Sequence, residues 1–324
     1  MRRVAVLLNR SAQGVTAARL RWFAAHVAAD DLFVTERDSP DSIRALRTVI
    51  ARGYDVLCTG GGDGTFMRAA SELIALAPAR LPALMPLRLG TGNAVHDVSA
   101  SSPPTRRGLA RDLAHAADPG ARIAPLRLLD VDGQLTQFAG VGLDADWAAD
   151  YAQVIKRHVG TGPLLALVRG VPGYALTAIT RTIPRLIRRP FVAVKLIAPR
   201  GARALDGDAA LPPGATLYDG PATLVAVSTV PSYSAGLRFF GNVDRIGDAF
   251  EVKIAFAGPL QVLRHARRIL AGAPDPARVL AFAARELRVE LAEPTQYHVG
   301  GDVLAPARGF HVALADHAVP VLRR

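Results

Sequence analysis

The residues best suited to chemistry in this sequence form a glycine-rich run, Gly60-Gly61-Gly62-Asp63-Gly64-Thr65. An apolar strand-like segment precedes the run and an amphipathic segment follows it, so the pattern predicts a strand, a tight turn and a helix. Glycines leave the main chain open to a ligand, and successive N–H groups at a helix N-terminus bind anions. Asp63 or Thr65 is predicted to cap the first turn of the helix. The run therefore predicts a phosphate-binding loop.

Two common phosphate-binding motifs do not fit this run. The Walker A motif needs a Lys directly after its last glycine, and the only lysines in this chain are Lys156, Lys195 and Lys253. The dinucleotide-binding fingerprint needs a third glycine at a position where this chain has Thr65 or Met67. The loop must therefore be of another kind.

The run resembles the signature of the diacylglycerol kinase catalytic family of lipid kinases, which the more distant NAD kinases share. Three other segments resemble the lipid kinases in the same order. Val4 to Ser11 resembles the opening strand, Leu89 to Asn93 the Gly-Thr-x-Asn segment, and Phe138 to Ala145 a Gly-x-Gly-x-Asp-Ala segment that NAD kinases lack. This resemblance implies Mg²⁺-dependent transfer of the γ-phosphoryl group of ATP to a lipid hydroxyl of the diacylglycerol or sphingoid type.

The resemblance also implies which residues contact the nucleotide, and most of them follow predicted strands. Ligands bind beyond the carboxyl ends of the strands in parallel sheets, so these segments are expected to converge. The implied set is Asn9, Ser11, Thr35, Gly61, Gly62, Asp63, Gly64, Thr65 and Thr91. Asp63 is in addition a candidate catalytic residue.

The metal and acceptor motifs of the family are altered in this chain. The Asp-Gly pair that helps to hold Mg²⁺ is replaced around Asp248, which is the preferred ligand, with Asp244 as the second choice. The late Asp-Gly-Glu segment is replaced by Gly300-Gly301-Asp302, which makes Asp302 the candidate general base. His298 is a substitute for that role. Asp244 and Asp248 are equally consistent with surface turns.

The hydrophobic pattern predicts two domains in this chain of 324 residues. Alternating strands and helices over residues 1–125 predict an α/β domain with a parallel sheet, like that of the NAD and diacylglycerol kinases. The pattern of residues 126–324 predicts a second domain rich in antiparallel β-sheet, beginning with a hairpin turn at Asp132-Gly133. The resemblance implies that this domain binds the lipid acceptor and the metal. Residues 199–220 are predicted to be a loop insertion.

The composition favours an anionic partner, because the formal net charge is +11. No nucleic-acid motif accompanies this charge, and only 6% of the residues are aromatic. A basic amphipathic stretch from Leu176 to Arg189 favours contact with an anionic membrane surface, although a solvated helix face explains it as well.

The apolar region 163–187 is interrupted by Arg and Pro, which disfavours a membrane span. Cys58 is the only cysteine, so no intrachain disulfide forms. We therefore expect a cytoplasmic protein that associates peripherally with the inner face of the membrane, and a homodimer is one state it could adopt.

Taken together, these features predict an ATP-dependent lipid kinase. Two alternatives stay open. An NAD kinase would share the glycine-rich loop but would not explain the segment from Gly140 to Ala145. A non-catalytic nucleotide- or lipid-binding relative would explain why the segments around Asp248 and Asp302 are altered.

Overall fold

The computed structural model describes residues 1–36, 39–90, 94–99, 101–158, 173, 176–188, 191–233, 238–256, 258 and 279–323. Within residues 101–158, side chains are described up to residue 153. The chain divides into two compact units. The first contains the residues up to Leu128 and those from Asp316 onward, and the second lies between Leu129 and Ala315. The α/β class of the first domain and the antiparallel β-rich class of the second are both confirmed.

The first unit is a six-stranded sheet flanked by helices, in the strand order β2-β1-β3-β4-β20-β5. All its neighbouring strands are parallel except β20 and β5, which run antiparallel. The strands are β1 (Val4–Asn9), β2 (Leu32–Thr35), β3 (Val56–Gly61), β4 (Ala83–Arg88), β5 (Arg122–Leu126) and the last strand of the chain, β20 (Val319–Arg323). The helices are α1 (Ala17–His26), α2 (Pro40–Arg52), α3 (Asp63–Leu76), α4 (His96–Ser99) and α5 (Arg106–Ala117), with a 3₁₀ turn at Ala29–Asp31.

Helix α2 shows how local sequence sets an element of this unit. Ser39 caps it by accepting a hydrogen bond from the Asp41 N–H at 3.2 Å, and Pro40 occupies the first turn, where its missing N–H costs nothing. Gly53, at a φ of +65°, ends the helix in the left-handed conformation that glycine adopts without strain. In the sequence, Ser39-Pro40 predicts the start of a helix and Gly53 its end, and the structure confirms both.

The C-terminal strand β20 returns to the first unit. Val321 pairs with Leu84 of β4, and β20 runs antiparallel to β5 from Val319 to Arg323. The hydrophobic pattern predicts that all of residues 126–324 belong to the second domain, whereas the residues from Asp316 onward lie in the first unit. Val321 and Leu322 are fully buried, so the strand completes the core of the first sheet.

The second unit contains two antiparallel sheets. An eight-stranded sheet has the order β11-β10-β15-β14-β13-β8-β17-β18, and a six-stranded sheet has the order β12-β9-β16-β19-β6-β7. The first set comprises β8 (Phe138–Gly142), β10 (Ala202–Ala204), β11 (Ala210–Leu211), β13 (Leu224–Ser228), β14 (Phe250–Ala255), β15 (Val279–Ala284), β17 (Tyr297–Val299) and β18 (Asp302–Val303). The second comprises β6 (Leu129–Val131), β7 (Gln134–Thr136), β9 (Val192–Ala198), β12 (Ala215–Ala222), β16 (Glu286–Thr295) and β19 (Ala307–Leu314).

One hydrophobic core is shared by the two sheets, since inward residues of both belong to a single buried cluster. The predicted hairpin is confirmed: β6 and β7 join at Asp132 and Gly133, whose φ angles are +48° and +85°. Left-handed φ at both central residues is the geometry of a two-residue hairpin turn.

The prediction of a loop insertion at residues 199–220 is wrong. This segment contains β10, β11 and the greater part of β12. Its glycines mark turns between short strands, because Gly201, Gly207 and Gly214 all have positive φ.

Helical structure in the second unit is limited to a few described segments. They are α6 (Leu143–His158), a π-helical turn at Ala178–Thr182 and α7 (Ile183–Arg188). The sequence pattern also predicts a helix at residues 261–271, which lie outside the described residues. Among those that are described, no helix is long and apolar enough to cross a membrane.

Candidate active site

In the first unit, hydrogen bonds join the ends of neighbouring strands of the parallel sheet. The Asn9 side chain, at the end of β1, donates from Nδ2 to Thr65 Oγ1 at 3.1 Å. Its Oδ1 accepts from the Ser11 N–H at 3.0 Å. The end of β2 joins the same edge, because the Arg10 N–H donates to the Thr35 carbonyl at 2.8 Å. The structure therefore brings together four of the residues predicted to contact the nucleotide.

Asp63 has a different local role from the one predicted. It does not cap helix α3, which begins at Asp63 after Gly62 with no side-chain cap. Its Oδ1 instead accepts from the Val95 N–H at 3.0 Å, which ties the loop after β3 to the segment after β4. Thr65 does not cap the helix either, since its hydroxyl accepts from Asn9. The capping prediction was wrong because both side chains are committed to neighbouring segments.

Glycines in these loops allow backbone to pack directly against backbone. A Cβ on Gly90 would clash with the backbone of Gly62, and a Cβ on Gly14 would clash with the Leu89 backbone. A Cβ on Gly61 would clash with the Thr65 side chain. At Gly64, by contrast, a Cβ would meet open space. The first turn of α3 is thus closely packed behind and open on the side of Gly64.

The first turn of α3 supplies backbone donors for an anion. No side chain caps the helix, and the N–H groups of Thr65 and Phe66 donate to the Gly62 carbonyl, so the donors left at its start for a ligand or solvent are those of Asp63 and Gly64. Arg10 directly follows β1 and Arg88 is the last residue of β4, and these two strands flank β3 on its two sides. Thr91, the remaining predicted nucleotide contact, lies outside the described residues.

His96 is a buried polar residue beside this loop that the sequence analysis did not identify. Its exposed fraction is 2%, and within the described chain neither ring nitrogen has a hydrogen-bond partner of normal geometry. Burial lowers the pKa of His96, and the nearby Leu87 backbone and Asp63 carboxylate oppose that effect. A neutral imidazole therefore lies close to Asp63.

In the second unit, Asp144, Tyr233 and His298 form a buried polar cluster. His298 Nε2 lies 2.8 Å from Asp144 Oδ2 and 2.7 Å from the Tyr233 hydroxyl, and that hydroxyl also donates to Asp144 Oδ2. The other carboxylate oxygen of Asp144 accepts from the Ala145 N–H at 2.8 Å. Burial, followed by the Asp144 charge, raises the pKa of Tyr233 well above its usual value, so its hydroxyl stays protonated.

The Gly-x-Gly-x-Asp segment provides the space for this cluster. A Cβ on Gly140 would clash with Asp144 Oδ2 and would also lie 3.0 Å from the Tyr233 hydroxyl. Gly142 has a φ of +100°, which lets the chain turn from β8 into α6. The segment that resembles the lipid kinases therefore positions Asp144. The spacing of the glycines and the Asp was the signal that could have identified Asp144 from sequence.

The candidate base Asp302 lies on a tight hairpin. Gly300 and Gly301, at φ values of +62° and +93°, form the two-residue turn between β17 and β18. Asp302 pairs with Val299, and His298 pairs with Val303, so the side chains of Asp302 and His298 point to opposite faces of the ribbon. Asp302 is exposed, whereas His298 is 2% exposed with both ring nitrogens engaged. Accessibility thus favours Asp302 over His298 as a base.

The residues predicted to bind metal, Asp244 and Asp248, belong to no cluster of three or more ligands among the described residues. Asp248 forms an ion pair with Arg285, and Asp244 is an exposed residue in the segment before β14. Among the described residues, no group of three or more His, Cys, Asp or Glu side chains could hold a metal ion. The buried carboxylate nearby, Glu251, is occupied by the N–H and side-chain amide of Asn242 at 2.9 and 3.0 Å. Asp244 and Asp248 therefore do not fit a metal site built from protein ligands alone.

Comparison with known proteins bears on both units. Residues 3–117 match the family model of the diacylglycerol kinase catalytic domain. The resemblance predicted from the sequence is confirmed. No curated protein matches this sequence.

Solved structures share the fold of the whole chain. The crystal structure of a diacylglycerol kinase from Bacillus anthracis str. Sterne aligns with a TM-score of 0.62 at 16% identity, covering 100% of this chain and 97% of its own. An NAD kinase from Archaeoglobus fulgidus in complex with ATP aligns with a TM-score of 0.50 at 10% identity, covering 99% and 93%. At such identities the likeness shows the fold alone, which is the diacylglycerol kinase and NAD kinase fold.

Proposed function

We propose that this protein is an ATP-dependent lipid kinase that transfers the γ-phosphoryl group of ATP to a lipid hydroxyl of the diacylglycerol or sphingoid type. One observation carries the proposal. The glycine-rich loop after β3, which lies within the match to the diacylglycerol kinase catalytic domain, is joined by hydrogen bonds to Asn9 at the end of β1 and to Val95 in the segment after β4. Phosphoryl transfer depends mainly on how precisely the phosphates are positioned and on stabilisation of their charge, and a loop held in this way would position them.

ATP would bind through the predicted set of residues at this edge. The N–H groups at the start of α3 would contact phosphate oxygens, and Gly64 leaves room for them. Asn9 and Thr65 hold the loop in place through their mutual hydrogen bond. Ser11 and Thr35 extend the same edge, and Thr91 completes the proposed set.

Mg²⁺ would enter together with ATP. This ion is commonly held by one or two carboxylates, by substrate phosphates and by water, so a single protein carboxylate is sufficient. Asp63 fits that requirement. Its Oδ1 accepts a hydrogen bond from the Val95 N–H, and this bond does not engage Oδ2. When bound, the ion would neutralise phosphate charge. Asp248 and Asp244 stay the ligands proposed from the sequence, and Asp248 would have to exchange its ion pair with Arg285 for the ion.

The acceptor hydroxyl needs a group that takes its proton, and Asp302 is proposed for this role. Its carboxylate is exposed at the end of a rigid two-residue turn, where a substrate can reach it. It has one methylene fewer than the Glu of the family motif. The turn geometry explains part of the altered motif, because residues 300 and 301 both have positive φ.

A lipid acceptor lies in a membrane, so a lipid kinase must act at the membrane surface. We propose peripheral association of a cytoplasmic protein with an anionic inner membrane surface, which the net charge of +11 favours. A homodimer remains compatible with the proposal.

The decisive experiment incubates purified protein with labelled ATP and Mg²⁺, using a lipid extract in one reaction and NAD in a parallel one. A labelled lipid product with unlabelled NAD supports the proposal. A labelled dinucleotide would identify an NAD kinase instead. If ATP binds but no phosphate is transferred in either reaction, the protein is a non-catalytic nucleotide-binding relative.

A further inference from the structure

The helical stretch 176–188 in the second unit is polar on its buried side. Thr177 and Thr182 are 0% and 3% exposed. The Thr182 hydroxyl donates to Asp150 Oδ2 at 3.1 Å, and Arg185 donates to Asp150 Oδ1 at 2.7 Å. Asp150 itself is fully buried. The inward face of this stretch is therefore occupied by a hydrogen-bonded charge network, and Leu186 is its one large buried apolar side chain in the described part.

The outward side of the same stretch is apolar. Ile179 and Ile187 are 67% and 60% exposed, and Leu176 is 46% exposed. Phe191, just beyond the stretch, is 43% exposed. Among the described residues, only Met1, Val34 and Ile123 are other exposed large hydrophobic side chains, so the exposed apolar residues are concentrated here. A helix normally turns its apolar side inward, and such an exposed patch marks an interaction surface.

The charged side chains in the sequence segment that contains this patch are all positive. Between Asp150 and Asp206 the chain contains no Asp or Glu and ten Lys and Arg residues. Arg188 is exposed within the stretch, and Arg181 extends to the exposed Gln153 side chain at 3.3 Å. Arg185 is neutralised by Asp146 and Asp150, which leaves Arg181 and Arg188 to meet an anionic partner.

We propose that the surface formed by Leu176, Ile179, Ile187 and Phe191, with Arg181 and Arg188, docks onto an anionic lipid bilayer. The apolar side chains enter the boundary between headgroups and acyl chains, and the two arginines contact lipid phosphates. The polar inward face explains why the stretch tolerates this orientation, because its inner contacts do not depend on Ile179 or Ile187. The inference rests on the proposed function, since a lipid kinase must reach an acceptor held in a membrane.

The test is flotation of the full chain with vesicles of phosphatidylcholine, with and without phosphatidylglycerol. The double variant Ile179→Gln/Ile187→Gln is expected to bind the mixed vesicles at least about tenfold more weakly than the parent. Arg181→Gln/Arg188→Gln should lower binding about fivefold for each arginine, and added salt should reduce the difference. The matched controls are Ile123→Gln, also exposed and apolar, and Arg107→Gln/Arg111→Gln on α5. These controls are expected to bind like the parent.

Activity measurements separate this inference from the proposed function. With a short-chain acceptor in solution, the Ile179→Gln/Ile187→Gln variant should retain the parent's turnover, whereas on mixed vesicles its turnover should fall. Equal vesicle binding by parent and variant would overturn the docking surface even if lipid is phosphorylated. A dimer in sedimentation that becomes monomeric in this variant, with vesicle binding unchanged, would overturn it in favour of a second copy. If the parent binds vesicles, the variant does not, and neither phosphorylates any lipid, the docking surface is supported and the proposed lipid kinase activity is refuted.

Discussion

Asp144 and His298 lie 154 residues apart in the sequence, and their side chains meet with Nε2 2.8 Å from Oδ2 in the buried part of the second unit. Both nitrogens of the imidazole are engaged, since Nδ1 accepts from the Gly301 N–H at 3.4 Å. The pair therefore connects the Gly-x-Gly-x-Asp segment to the hairpin that carries Asp302. It belongs to the framework of this unit.

The two sides of the His298 ring can be separated by amide substitutions. Gln places an N–H near the position of Nε2 and can keep the bond to Asp144, whereas Asn places an oxygen near Nδ1 and loses that bond. We expect His298→Asn to lower the free energy of unfolding by about 2–3 kcal/mol, because the hydrogen bond it removes goes to a charged group. His298→Gln should cost roughly 1 kcal/mol less. Denaturant unfolding followed by circular dichroism measures both. Equal losses would show that Asp144 does not depend on this contact.

The glycine at position 140 should be intolerant of even the smallest side chain. Gly140→Ala would place a methyl group against Asp144 Oδ2 and 3.0 Å from the Tyr233 hydroxyl, in the core of the cluster. We expect a loss of about 2 kcal/mol or more in the free energy of unfolding, from overpacking and displaced hydrogen bonds. Gly241→Ala is the matched control, because a Cβ there meets open space. A Gly140→Ala variant as stable as this control would contradict the assigned packing.

Asp63 combines two roles that substitutions can distinguish. Asp63→Ala removes both the charge and the acceptor for the Val95 N–H, whereas Asp63→Asn can keep the acceptor and removes only the charge. If the proposed function holds, both variants should lose at least about 10²-fold in turnover, the usual scale for removing a charged group that acts in the transition state. Only the Ala variant should also lose thermal stability. Near-parental turnover of Asp63→Asn would exclude a role for the charge.

Asp302 is tested by changing its charge and its length. Asp302→Asn should lower kcat by roughly 10²-fold or more with the KM for ATP nearly unchanged, as expected for loss of a general base. Asp302→Glu restores the side-chain length of the family motif, so it reports whether reach limits the reaction. The exposed Glu293→Gln is the control and should leave kcat unchanged. If both Asp302 variants match the parent, another group takes the proton.

The buried His96 should make stability depend on pH. Burial lowers its pKa in the folded state below the ordinary value of 6.5, so below that pH the unfolded chain binds a proton that the folded chain does not. Stability should therefore fall as the pH drops from about 7 toward 5. Thermal unfolding midpoints at both pH values measure this, and His96→Gln should reduce the decrease. An identical decrease in parent and variant would assign it to other groups.

The sequence by itself was sufficient for local features whose cause is local. The Gly60–Thr65 turn, the caps of α2 and the Asp132-Gly133 hairpin depend on backbone preferences of neighbouring residues, so residue types predicted them. The two-domain class followed from the change in hydrophobic periodicity. The family resemblance followed from motif order.

Only the tertiary structure decided the long-range contacts. The bond from Asp63 to Val95, the placement of β20 in the first sheet and the cluster of Asp144, Tyr233 and His298 join residues that are distant in sequence. The pairing of Asp248 with Arg285 is a further contact of this kind. The exposure of Ile179 likewise depends on how its helical stretch packs in the second unit. Such contacts depend on how sheets and helices pack, and that is determined by burial summed over the whole unit, which no single segment of the sequence encodes.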